Sequence, residues 1–202
     1  MQKLMMTIFF KPETPEQAAR RVELRKQRLL DNAERWLDAK LLYMVSQTGD
    51  EQRLQQYQEL KKAFLATIPV MAGYVVLGIG FGMLLRARGY GVLWAFAMSL
   101  LIYAGSMQYV AIDLMTGGVS LIATALTTLA VNARHLFYGI SMVDKYKVQK
   151  KKYFLFWTLT DETYSLVCSD EPEKSGDAST YYTYVSLFDY SYWVLGSVLG
   201  SL

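Results

Sequence analysis

The chain has one cysteine and one histidine, and over long stretches it has no charge at all. A lone Cys168 excludes an internal disulfide framework, and one Cys with one His is too few soft ligands for a structural zinc site. No metal site is expected. A net charge of +3 over 202 residues is too small and too dispersed to argue for nucleic acid. There is no nucleophile–base constellation, no glycine-rich phosphate loop and no carboxylate dyad of the glycosidase kind, so the sequence is not read as an enzyme. A cleavable signal peptide is also missing. Met1–Phe10 has a short apolar stretch, but Lys11, Pro12 and Glu13 follow instead of a small-residue cleavage site. The first membrane helix is then expected to act as an uncleaved insertion signal.

The charges are concentrated at one end. Residues 1–62 hold 12 basic and 9 acidic side chains, and the other 140 residues hold 9 of each. Ala63–Leu85 and Gly91–Ile112 are uncharged runs of 23 and 22 residues. A third run, Val119–Ala133, resumes as Leu136–Val143 after Arg134 and His135. Tyr153–Thr160 continues past Asp161 and Glu162 to Cys168, and Tyr181–Leu202 is broken only by Asp189. A bilayer core of about 30 Å takes about 20 helical residues. The expectation is an all-α, polytopic membrane protein with about five hydrophobic segments, some broken or re-entrant, spanning residues 61–202.

Residues 1–60 read as a soluble, cytoplasmic helical arm. Thr14 can cap a helix, Pro15 suits its first position and Gln17 completes a capping-box spacing. Val22, Leu29, Ala33, Trp36, Leu37, Leu41 and Met44 then recur at helical intervals. Gly49 breaks this helix, and Asp50 can cap a second one running through Leu60 into the membrane. Arg20, Arg21, Arg25, Lys26 and Arg28 allow the arm to lie on anionic lipid or a partner. Interspersed acidic residues fit a plain solvated helix equally well.

Basic loops raise a topological conflict. Lys61 and Lys62 precede the first run, Arg86 and Arg88 follow it, and Lys145, Lys147, Lys150, Lys151 and Lys152 follow the third. If every run crosses, Lys61/Lys62 and the lysine loop fall on opposite sides, against the positive-inside rule. One resolution breaks the first run at Pro69, Gly73 or Gly78, making Ala63–Leu85 re-entrant. The other lets Gly78, Gly80 and Gly82 serve close helix packing. Gly105 is a further candidate break.

Intramembrane polar groups are costly, which makes each a candidate. Thr128, Asn132 and His135 share one helical face, and Arg134 shares another with Tyr138. Pairing Arg134 with Asp161 or Glu162 is the least costly arrangement. Ser106 and Gln108 add uncharged hydrogen-bonding groups in the second run. Together they offer what a zwitterion needs: donors for a carboxylate, acceptors for an ammonium and apolar walls. Each also has an ordinary structural role open to it: Arg134 can snorkel, Asp161–Glu162 can sit at an interface, and His135 and Gln108 can bond between helices.

At these residues the chain resembles the AzlC-type family of branched-chain amino-acid permeases. The resemblance runs from about Leu60 to Leu202. It rests on Ala66-Thr-Ile-Pro-Val70 with the Gly78/Gly80/Gly82 series, on Tyr103-Ala-Gly-Ser-Met-Gln-Tyr109, on Leu129-Ala-Val-Asn-Ala-Arg-His-Leu136, and on Leu159-Thr-Asp-Glu-Thr163. It implies the large subunit of an exporter of hydrophobic, branched-chain amino acids in a bacterial inner membrane, working with a small hydrophobic AzlD-like partner. No cofactor is implied, and an ion or proton gradient would supply energy. Gln108, Asn132, Arg134, His135, Asp161 and Glu162 would line the substrate path, by alternating access. Family members usually continue with further hydrophobic segments, whereas this sequence ends with its fifth run. The rest of a transport pathway would then be missing by truncation, or supplied by a partner or a homo-oligomer. The alternative function is a non-transporting membrane scaffold built on a shortened permease core. Gly105-Ser-Met-Gln-Tyr109 set against Thr160-Asp-Glu-Thr-Tyr164 faintly suggests an internal repeat.

Overall fold

The computed structural model describes residues 14–48, 51–168 and 178–202, and among them every regular element is an α-helix. Met1–Phe10, the Gly49–Asp50 break and residues 170–177 of the stretch Asp170–Ser179, which reads from sequence as an exposed acidic loop, lie outside the described residues. The chain forms two compact units, residues 1–49 and 50–202. The first unit holds α1, Pro15–Thr48. Its start is the capping box read from the sequence: the Thr14 N–H donates to Gln17 Oε1 at 3.0 Å, and the Gln17 N–H to Thr14 Oγ1 at 3.3 Å. Val22, Leu29 and Trp36 lie exposed along it.

The second unit has α2 (Glu51–Ala87), α3 (Val92–Leu101), α4 (Gly105–Thr116), α5 (Leu121–Tyr146), α6 (Lys152–Trp157), α7 (Asp161–Val167) and α8 (Ala178–Ser201). Residues 51–60, grouped with the arm from sequence, are continuous with the apolar part of α2. At 37 residues α2 is about 55 Å long, and among the described residues Gln52–Ala87 is the one helix both long and apolar enough to cross a membrane by length and composition. Pro69, Gly73 and Gly78 do not break it. Pro69 sits exposed within the helix, where losing one N–H removes a single rung of the ladder.

The glycines are used for approach instead. Gly78 and Gly82 of α2 face Gly196 and Gly200 of α8. A Cβ on Gly78 would lie 2.9 Å from the Ser197 nitrogen, and one on Gly196 would lie 2.8 Å from the Val75 carbonyl oxygen. The two backbones are therefore in direct contact, as small residues four apart allow. Gly80 is not part of that ridge. Two residues along a helix point to another side, and Gly80 meets the Tyr109 hydroxyl of α4.

The breaks fall elsewhere. The uncharged run Gly91–Ile112, long enough for a crossing, divides into α3 and α4 around Tyr103, whose φ of 43° is left-handed and unusual for a bulky residue. Tyr103 is buried edge-on against Tyr190 at 4.8 Å, and the Tyr190 hydroxyl donates to the Leu100 carbonyl at 2.8 Å near the break. The fourth run divides likewise, into α6 and α7 around Thr158–Thr160. There the Thr158 hydroxyl turns back onto the Phe154 carbonyl, and Thr160 caps α7 by accepting from the Thr163 N–H.

Both broken segments return to the end from which they entered. Arg88, just beyond α2, donates to Asp113 Oδ1 at 3.1 Å and to Thr116 Oγ1 at 3.2 Å, so α4 ends beside the start of α3. Lys145, near the end of α5, donates to the Val167 carbonyl at 3.0 Å and to the Cys168 carbonyl at 2.5 Å, so α7 ends beside the start of α6. Lys62 lies over the Tyr181 ring at 4.6 Å, which puts its end of α2 beside the start of α8, and Ala63 packs in one cluster with Tyr146, Leu155 and Tyr182. At the other end, Arg86 donates to the Ser201 carbonyl at 2.8 Å. Lys61/Lys62 and the lysine loop thus share one end of this unit, with Arg86 and Arg88 at the other. Ala63–Leu85 is unbroken helix; the chain turns back instead within α3–α4 and, from the opposite end, within α6–α7.

An apolar face remains open on α5. Leu121, Ile122, Leu126, Leu129, Leu136, Phe137 and Ile140 are each at least 60% exposed. A continuous patch of that kind is foreign to a monomer in water and ordinary for one in lipid.

Candidate functional site

The tips of the two hairpins meet. Between them lies a cavity of about 210 Å³, bordered by Tyr74 and Leu77 of α2, Tyr103, Gly105, Ser106 and Tyr109 of the first hairpin, Arg134 and His135 of α5, Thr160, Asp161 and Glu162 of the second hairpin, and Trp193 of α8. Each residue arrives for a local reason. Gly105 opens α4 against the Trp193 ring, where a Cβ would lie 2.9 Å from Cη2. Ala104 at the N-cap has no side-chain acceptor to offer the first N–H groups of α4. Asp161 and Glu162 occupy the first turn of α7, where acidic side chains favour the helix terminus.

Arg134 binds Asp161 by an ion pair and donates through its other terminal nitrogen to Ser106 Oγ at 2.7 Å. One side chain from α5 therefore ties together the tips of both hairpins. Among the described residues its Nε is buried with no hydrogen-bond partner, and the Tyr103 hydroxyl is buried near that of Tyr74 without a well-formed hydrogen bond. Glu162 accepts from the Tyr74 hydroxyl at 2.8 Å, and Tyr74 also lies 2.7 Å from Thr160 Oγ1. Tyr74 and Trp193 meet edge to face at 5.6 Å and form an aromatic wall. Among the described residues no three His, Cys, Asp or Glu side chains gather as metal ligands.

Four of the six sequence candidates, Arg134, His135, Asp161 and Glu162, border this cavity. Asn132 does not. It faces a second cavity of about 260 Å³ with Ile102, Phe156 and Leu159, because two residues along α5 is more than half a turn. His135 borders both cavities, its Nδ1 3.3 Å from the Asn132 carbonyl. Gln108 borders neither. Fully buried, it donates to Ser99 Oγ at 3.1 Å and accepts from Trp193 Nε1 at 2.7 Å, so it positions the tryptophan that walls the cavity. Of the candidate breaks, Gly105 begins α4 directly after the break, whereas Pro69, Gly73 and Gly78 lie in unbroken helix.

Sequence reasoning missed Tyr74, Tyr103, Tyr109 and Trp193, since aromatic residues in apolar runs look like packing. It also passed over Asp189, although a lone acid in an apolar run was visible. Asp189 is fully buried, and its Oδ2 accepts from Thr163 Oγ1 at 2.8 Å.

Comparison with known proteins agrees with the sequence resemblance. The profile of the AzlC protein family matches residues 69–202. The chain belongs to that family. It is 37% identical over 156 residues to the branched-chain amino acid transport protein AzlC of Bacillus subtilis, covering 77% of this chain and 61% of that protein. An uncharacterized membrane protein of Haemophilus influenzae is 40% identical over 144 residues, covering 70% of this chain and 59% of that protein. The inner membrane protein YgaZ of Escherichia coli is 29% identical over 139 residues, covering 67% and 57%. The chain spans about three fifths of the length of these relatives. No solved structure matches it. Family, relatives and the exposed apolar face of α5 together make this AzlC-family chain a membrane protein.

Proposed function

We propose that this AzlC-family chain exports branched-chain or similarly hydrophobic amino acids across a bacterial inner membrane. In this reading it is the large subunit of a permease completed by a small AzlD-like hydrophobic partner. The supporting observation is the unsatisfied donor capacity in the cavity: among the described residues Arg134 Nε and the Tyr103 hydroxyl are buried without a well-formed hydrogen bond beside the uncapped start of α4. An amino-acid carboxylate would use those donors, as anions do at helix N-termini. Its ammonium would go to Glu162, because Asp161 is already engaged by Arg134. Tyr74, Leu77, Tyr109 and Trp193 would surround the aliphatic side chain. A volume of about 210 Å³ falls below the roughly 300–1,000 Å³ of sites for drug-sized molecules, which suits a single small amino acid.

Half-helices starting near mid-membrane beside a polar cavity are how transporters expose backbone to a solute. We assign α2, α5 and α8 as the crossing helices and the two hairpins as half-depth elements. The lysine end faces the cytoplasm by the positive-inside rule. Alternating access would separate the hairpin tips in turn, with Arg134 exchanging its protein partners for substrate, and an ion or proton gradient would drive the cycle. The test is efflux of preloaded leucine, isoleucine and valine from cells with and without the gene, with the partner co-expressed. Equal efflux in both would remove the proposal.

A further inference from the structure

An unbroken row of oxygen atoms joins the cavity to the buried acid of α8. Glu162 Oε2 is 2.8 Å from the Tyr74 hydroxyl, and that hydroxyl is 2.7 Å from Thr160 Oγ1. Thr160 Oγ1 is 3.1 Å from Thr163 Oγ1, which is 2.8 Å from Asp189 Oδ2. All four contacts are at hydrogen-bond distance, and bonding in all four at once takes four hydrogens, yet the three hydroxyls bring three. The fourth must sit on one of the two carboxyl groups. With both ionised, one pair of oxygens would face each other with nothing between them.

We propose that Glu162 and Asp189 share one transferable proton through Tyr74, Thr160 and Thr163, and that this pair is the proton-coupling element of the transporter. The proposal rests on the transport function above and identifies its driving ion. With the proton on Glu162, every bond in the row points toward Asp189; with it on Asp189, every bond is reversed. In the transfer, Glu162 gives its proton to Tyr74, Tyr74 to Thr160, Thr160 to Thr163 and Thr163 to Asp189. Four O–H bonds break and four form, each hydroxyl is regenerated, and one proton and one charge have moved.

Two further observations fit. Asp189 is fully buried and has no ion-pair partner among the described residues, so a lasting charge there would cost several kcal/mol by the general penalty for unpaired buried ions. The titratable groups coupled to it are the carboxyl of Glu162 of α7 and the neutral phenols of Tyr74 of α2, Tyr103 of the first hairpin, Tyr146 of α5 and Tyr192 of α8; none of these is a cation. Among the described residues its Oδ1 is buried without a hydrogen-bond partner, as are Ser186 Oγ three residues earlier and the Tyr146 hydroxyl, whose ring packs on Tyr182. Spacings of three and four set Asp189, Ser186 and Tyr182 on one face of α8, leading toward the lysine end. Buried polar groups in such a row are where internal water resides. A substrate ammonium binding Glu162 would displace its proton to Asp189 and on toward that end, so that one proton enters as one amino acid leaves.

The test begins with infrared spectroscopy of the full chain in lipid nanodiscs, which needs no transport. Wild type should show a carboxylic-acid C=O band at pH 7. Asp189→Asn and Glu162→Gln should each abolish it, because the new amide supplies the fourth hydrogen. Absence of the band in wild type, or its persistence in either variant, overturns the proposal. In proteoliposomes, efflux driven by a pH gradient should be lost in Thr163→Val and return in Thr163→Ser. Full pH-driven efflux in Thr163→Val, or drive by sodium instead of protons, also overturns it. If wild type moves no amino acid at all, the transport reading fails while the infrared result still decides the shared proton.

Discussion

Arg88, one residue beyond α2, holds Asp113 of α4 at 3.1 Å, although the two are 25 positions apart in the chain with the whole of α3 between them. That bond shows the first hairpin returning to its origin. It therefore dictates that α5 runs back toward the lysine end, antiparallel to α2.

Labelling of single cysteines should follow this geometry. Lys62→Cys and Val148→Cys should react from the same side of the membrane, and Ala87→Cys from the other. In a background with Cys168 replaced by serine, a membrane-impermeant maleimide added outside intact cells should reach Ala87→Cys alone. Labelling of Lys62→Cys and Ala87→Cys from one side would make α2 re-entrant and refute the arrangement.

Much of this was legible in the sequence. Run lengths located the apolar segments but not the division of the second and fourth into two helices each. Thr14 and Gln17 marked the start of α1, and the cost of an unpaired charge pointed Arg134 to Asp161 or Glu162 without choosing between them. The basic residues posed a topological conflict with two open resolutions, a break in the first run or close packing by its glycines. Pro69, Gly73 and Gly78 look like breaks, but a helix in contact with α8 keeps its ladder through one proline and uses glycine for closeness. The actual break lies at Tyr103, a residue with no breaker signature, held left-handed by packing against Tyr190. The row from Glu162 to Asp189 was illegible because its members come from α2, α7 and α8, and only tertiary structure brings them together.

Arg134 should be intolerant even of lysine. The guanidinium bonds Asp161 and Ser106 at once, on two different hairpins, and an ammonium lacks that planar fork. A hydrogen bond to a charged group contributes about 1.5–3 kcal/mol, so Arg134→Lys should weaken substrate binding by about 10- to 100-fold. Isothermal titration with leucine in nanodiscs measures it. Because both partners are partly exposed, thermal stability should change little. Unaltered leucine affinity would place the substrate elsewhere.

Gln108 should act through Trp193. Replacing it by leucine leaves the indole N–H and Ser99 Oγ buried without partners, at about 1–3 kcal/mol. Gln108→Leu should therefore lower the unfolding temperature in detergent and impair transport. Adding Trp193→Phe, which removes the stranded N–H, should recover part of the stability but not the transport. If the single variant is as stable as wild type, the positioning role is wrong.

Glycines of α2 should fall into two classes according to what lies opposite. A Cβ on Gly82 would run into the Ser197 carbonyl oxygen and lie 2.7 Å from the Ser201 nitrogen, both backbone atoms that cannot rotate aside. A Cβ on Gly73 would meet nothing within 4 Å. Gly73→Ala should thus be neutral or slightly stabilising, since alanine favours a helix by up to about 1 kcal/mol over glycine. Gly82→Ala forces α2 and α8 apart and should cost about 1–3 kcal/mol, as overpacking does. Gly82→Leu should cost more and collapse the cavity, because Tyr74 and Trp193, which wall it, ride on these two helices. Thermal unfolding of the four proteins, wild type included, supplies the ranking: Gly73→Ala at or above wild type, then Gly82→Ala, then Gly82→Leu. Equal unfolding temperatures for Gly73→Ala and Gly82→Ala would mean that α2 and α8 do not touch through their backbones.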